Sequence, residues 1–193
     1  MNSKKNKNIR ILLIIAFLIS TNVKAQILDK SWSAVVYNKD TSWFATAEAK
    51  RVAEHVLLYQ RDIGGWPKNI KMQNQLSENV KQELKFLKSN PKGCTTDNGA
   101  TIQEMYFLSR MYSHIPDERY EKAFLRGLNY ILKAQYDNGG WPQFYPLRKG
   151  YYSHITFNDD SMVNILKMLK ALKDKSNDYP ITVPDSTFSK VKI

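Results

Sequence analysis

Two clusters of side-chain oxygens, Asp97-Asn98 and Asn158-Asp159-Asp160, are the part of this 193-residue chain best suited to chemistry. Carboxylate and amide oxygens converging on one groove form a site for a hard divalent cation, and calcium suits such a donor set. Asp97, Asp159 and Asp160 are the candidate ligands, with Asn98 beside them. Helix N-caps use the same residue types, because their oxygens accept free backbone N–H groups. Spacing alone leaves both readings open.

A second candidate is the run Arg148-Lys149-Gly-Tyr-Tyr-Ser-His154, directly before the second cluster. Arg148 offers paired donors to a carboxylate, Lys149 a point charge, and the tyrosines stacking faces. The alternative is a solvated loop. Trp66 and Trp141 each sit in a Gly-Gly-Trp-Pro sequence, where the indole either plugs a hairpin end or stacks on a sugar ring. His154 alone is no catalytic signal, and no Ser-His-Asp set, metalloprotease motif or phosphate loop is present. Cys94 is the single cysteine, so no internal disulfide forms; it reads as a small packed hydrophobe.

The elements that must position these residues read as helices. Apolar residues recur at helical spacing from Phe44 to Leu57, after Thr41 and Ser42 as candidate caps, and this helix is expected to end near Asp62. A polar amphipathic helix is expected over 77–88, and a third over 100–112 with Thr101 and Glu104 at capping-box spacing. A fourth follows Pro116-Asp117-Glu118, a fifth starts at Asn158-Asp159, and Asp185 caps a possible sixth. Nothing reads as a run of strands. Gln60-Arg-Asp-Ile-Gly-Gly-Trp-Pro-Lys-Asn69 repeats as Gln135-Tyr-Asp-Asn-Gly-Gly-Trp-Pro-Gln-Phe144, offset by 75 positions. Each copy closes a helix and is followed by one of the acidic clusters. The pattern predicts an all-α array of helical hairpins, such as a toroid of paired helices.

Residues 1–25 read as a secretory signal peptide: basic residues to Arg10, an apolar run Ile11–Ile19, and a small-residue site ending at Ala25. The apolar run is too short for a stable membrane span. The expected location is therefore secreted or periplasmic. Residues 26–41 read as an irregular entry segment, and 42–193 as one helical domain. Loss of the five basic residues of the leader lowers the net charge from +11 to +6. That surplus favours an anionic partner; export argues against nucleic acid and for an acidic polysaccharide.

Gly64-Gly-Trp-Pro-Lys-Asn69, Thr96-Asp-Asn-Gly-Ala-Thr101, Asn138-Gly-Gly-Trp-Pro-Gln-Phe144 and His154-Ile-Thr-Phe-Asn-Asp-Asp-Ser-Met162 together resemble the pectate lyases of polysaccharide lyase family 10. The resemblance covers about residues 42–173. It implies an (α/α) toroid, here incomplete, and calcium-dependent β-elimination of polygalacturonate. It places Asp97 at the calcium or substrate and Asp159 at the calcium, with Asp160 and Asn98 in support. Lys68, Arg148, Lys149 and His154 would line the substrate groove. The resemblance also implies a later segment with Trp-Cys-Gln-Gln-type residues and an arginine that acts as base. The chain ends at Ile193 without it, so no catalytic residue is identified. Three functions compete: a pectate lyase or its N-terminal part, a non-catalytic uronate-binding remnant, and a helical repeat module for protein partners.

Overall fold

A computed structural model describes residues 27–155 and 158–192. The expected leader lies outside them. Among the described residues, the fold is carried by α1 (Trp32–Val36), α2 (Ala47–Tyr59), α3 (Glu78–Phe86), α4 (Ile102–His114), α5 (Glu118–Ala134) and α6 (Ser161–Lys173). Short 3-10 turns precede α2, α4 and α6 at Thr41–Ala45, Asp97–Gly99 and Asn158–Asp160. Among the described residues there is no β-strand, only two isolated bridges. The fold is all-α, as the periodicity implies.

α4 is the hub, packing against α1, α2, α5 and α6. Its stripe Met105, Phe107, Leu108 and Met111 is fully buried. α5 meets it with Tyr120, Phe124, Leu128 and Ile131, at the three- and four-residue steps of one helix face. Asp117 caps α5 by accepting from Arg119 N, Ser77 caps α3 through Val80 N, and Thr46 caps α2 through Ala49 N.

Three expectations need correction. The entry segment is not wholly irregular: Ser31 caps α1, whose Trp32, Val35 and Val36 are buried. Trp32 packs tilted against Phe107, ring centroids 5.2 Å apart, and donates its indole N–H to Glu104 at 2.7 Å. The Thr101 hydroxyl makes no cap on α4; it accepts from Trp66 N and donates to Thr95 O. Thr101 itself sits at φ 65°, because the chain turns sharply out of the Asp97–Gly99 turn. Asp185–Lys190 forms a 3-10 turn rather than an α-helix.

The sequence repeat is also a repeat of hydrogen bonds. Trp66 Nε1 donates to Val56 O, and Trp141 Nε1 to Ile131 O, each ten residues back on the preceding helix. The amides of Gln60 and Gln135 donate to Gly64 O and Gly139 O respectively. Arg61 N and Tyr136 N donate to Gly65 O and Gly140 O. Gly64 stands at φ 106°, and a Cβ there would come within 2.2 Å of Arg126 O. Only glycine fits that turn. Gln60 also donates to Ala123 O, stitching the first loop to α5. Gln60→Ala should destabilise the chain by about 2 kcal/mol, because buried carbonyls lose their donor. Chemical denaturation of the two proteins checks this.

Candidate functional site

The loops after the two Gly-Gly-Trp-Pro turns converge on the segment 94–97. Pro67 bridges Cys94, and Phe144 bridges Thr95, so three short extended pieces lie side by side. Thr95 N donates to Trp66 O, and Thr96 N to Gln143 O. The Thr95 hydroxyl donates to Gln143 O and accepts from Asp97 N at 3.0 Å. These bonds fix where Asp97 points.

Asp97 is 2% exposed. Its Oδ2 accepts a close hydrogen bond from Lys68 Nζ. Its Oδ1 is buried and, among the described residues, has no hydrogen-bond partner. A buried carboxylate oxygen left unpaired is costly unless something cationic or a donor meets it. Asn98 follows at φ 52° and donates its amide to Asn69 Oδ1 at 3.0 Å; Asn69 is likewise left-handed at φ 62°. Short polar side chains tolerate that backbone region.

The turn Asn158–Asp160 packs against the turn Asp97–Gly99. Asp160 occupies φ 53°, matching Asn98. The Thr96 and Ser161 hydroxyls share a buried hydrogen bond of 2.6 Å across the two corners. The acidic clusters are therefore brought together, as the repeat implies. Asp160 is exposed, and the Asp159 side chain is outside the described set. Among the described residues no three His, Cys, Asp or Glu side chains converge. A hard-cation site here would draw on Asp97 plus amide and carbonyl oxygens, with Asp160 from the facing turn.

Arg148 lies with its Cζ 5.2 Å from the Phe144 ring centroid and 4.4 Å from that of Tyr152. Lys68 Nζ is 5.7 Å from the same Phe144 ring. Phe144 is thus flanked by both cations, and sequence reading assigned it no role. The available signal was the repeat itself: its two copies diverge at Lys68-Asn69 against Gln143-Phe144. Lys149 and His154 are exposed, with His154 N donating to Tyr151 O. Trp66 and Trp141 are 0% and 4% exposed. Both indoles plug the hairpin ends and neither offers a face for a sugar. Burial pushes the Cys94 thiol up to about 12, which suits a packing role.

The pectic acid lyase family profile matches residues 60–192. In solved structures the chain is similar to a family 10 polysaccharide lyase from Cellvibrio cellulosa, at 33% identity and a TM-score of 0.61. The same likeness holds for an aspartate-to-alanine mutant of that enzyme in complex with trigalacturonic acid. Each match covers 78% of this chain and 45% of the other. No curated protein matches. The all-α fold is consistent with the toroid of these lyases, and the chain spans less than half the length of the structures it resembles. It belongs to the pectic acid lyase family, polysaccharide lyase family 10.

Proposed function

We propose that this chain is the part of an exported pectate lyase that holds polygalacturonate and calcium for β-elimination. The observation that carries this is Asp97: a buried carboxylate with one oxygen on Lys68 and the other unpaired, facing a second acidic turn. Oxygen donors of this kind fit calcium better than a transition metal. When bound, calcium stabilises the negative charge that develops on the uronate as C5 loses its proton. Lys68 and Arg148 hold substrate carboxylates on either side of Phe144. Elimination takes the C5 proton to a base, forms the C4–C5 double bond and expels the C4 oxygen as leaving group. The relative's complex with trigalacturonic acid supports an acidic saccharide as ligand.

Among the described residues, no arginine stands free to act as the base. Arg51, Arg119 and Arg126 are engaged with Gln73 O, with Glu54 and Asp117, and with Gln60. Arg110 lies over Phe44, and Arg61 is buried. Among the described arginines only Arg148 flanks the corner, and it is laid across two rings. A base must reach the proton it takes. We therefore expect residues 26–193 alone to bind oligogalacturonate with calcium and to release no unsaturated product, followed by ultraviolet absorbance. A calcium-dependent rise in absorbance would show that a residue of this chain serves as base, with Arg148 the first to replace. No binding with or without calcium would instead favour the repeat-module reading.

A further inference from the structure

A groove of about 570 Å³ lies between the turn at Pro91 and the loop 144–148. Lys68 and Asp97 are not part of its lining; Phe144 is the shared neighbour, lining the groove while Lys68 Nζ lies 5.7 Å from its ring centroid. The groove's two charged residues are both cations, Lys92 and Arg148, set on a wall of Pro91, Phe144, Pro146 and Leu147. Among the described residues no acid lines it, and neither cation forms an ion pair, whereas Lys68 is matched by Asp97. Arg148 is held by the Phe144 and Tyr152 rings, which occupy its guanidinium faces and leave its N–H edge unused. Lys92 is presented by a tight turn: its N–H donates to Asn90 Oδ1 at 3.0 Å, and Cys94 N donates to Pro91 O.

We propose that this groove is a second uronate subsite, in which Lys92 and Arg148 bind the free carboxylate of one galacturonate unit whose ring lies on the Phe144–Pro146–Leu147 wall. The inference rests on the uronate-binding reading given above and adds Lys92 to it. A uronate has both parts that the groove matches: ring C–H groups that leave water against carbon, and a carboxylate for the cations. Two unpaired cations on one groove raise the local positive potential, and a bound carboxylate offsets it. A single exposed ion pair contributes little. Here Arg148 is already fixed by two rings, so less side-chain freedom is lost when its N–H edge meets the carboxylate. A neutral sugar would leave both cations without a partner, so the groove selects the free acid.

The test is calorimetric titration of the purified chain, with calcium, against de-esterified hexagalacturonate. Lys92→Ala should weaken binding on the order of fivefold, and Lys92→Glu on the order of thirtyfold, while Lys92→Arg keeps the parent affinity. Lys133, exposed at the end of α5 and outside the groove, is the charge-matched control. Lys133→Ala and Lys133→Glu should bind as the parent does. Every variant changes an exposed side chain, and circular dichroism confirms helix content. Parent-like binding by Lys92→Ala and Lys92→Glu, or an equal loss in Lys133→Glu, overturns the inference while leaving calcium-dependent uronate binding intact. A loss in Lys92→Arg as large as in Lys92→Ala also overturns it, because charge is then not what position 92 supplies. Failure of the parent chain to bind the hexamer overturns the inference together with the reading beneath it.

Discussion

Asp97→Asn is expected to weaken calcium-dependent binding of trigalacturonate on the order of a hundredfold, the largest loss at any single position in this chain. The substitution keeps the side chain's shape and leaves the Asp97 N–H bond to the Thr95 hydroxyl in place. It removes the negative charge from a group that is 2% exposed and has one oxygen without a partner. A neutral amide still accepts from Lys68, but it presents the cation with a dipole where a full charge stood. A control is Asp137→Asn, whose carboxylate is fully exposed and pairs with Lys192 at the chain surface. That variant should bind as the parent does. Titrations in calcium and in chelator decide the matter. Equal losses for both variants would reduce the effect to general charge, and no loss for Asp97→Asn would remove Asp97 from the cation site.

Glu104→Gln should stabilise the chain at alkaline pH by about 3 kcal/mol and change little at pH 4.5. Glu104 is buried in α4 beside the Trp32 indole, and burial pushes its carboxyl from an ordinary 4.5 up to about 7. The indole and the backbone N–H groups of Glu104 and Thr101 offset part of that rise. Below about pH 4.5 the carboxyl is protonated in the folded and unfolded chain alike, and burial has no ionisation cost. As pH rises from there, the unfolded chain ionises first, and stability is lost until the folded group also ionises near pH 7. Glutamine removes that loss while its side-chain oxygen still accepts from Trp32. Thermal melts at the two pH values should differ by about 6–12 °C in the gain they show. An identical gain at both pH values would mean that the effect is packing and not ionisation.

The sequence by itself determined the five longer helices, their hairpin repeat and the family. Heptad-like spacing of apolar residues is a local property, and so are the Ser77 and Asp117 caps that start α3 and α5. The repeated Gln-x-x-x-Gly-Gly-Trp-Pro loop was legible because each copy satisfies its own turn with the same bonds. The pairing of the two acidic turns was legible for the same reason, since equivalent positions of a repeat fall on equivalent corners. Only the tertiary structure decided what each side chain does there. Trp66 and Trp141 could have faced solvent or core, and the helix carbonyls of Val56 and Ile131 drew both indoles inward. Thr101 and Glu104 had the spacing of a capping box. The Thr101 hydroxyl went instead to Trp66 N and Thr95 O, and Trp32 from the entry segment met Glu104 across 72 positions. Phe144 met Lys68 from a segment far away in the chain, while Arg148 reached the same ring from its own loop. Local pattern sets which backbone groups a residue can satisfy nearby; burial and long-range contact set which of those options is taken.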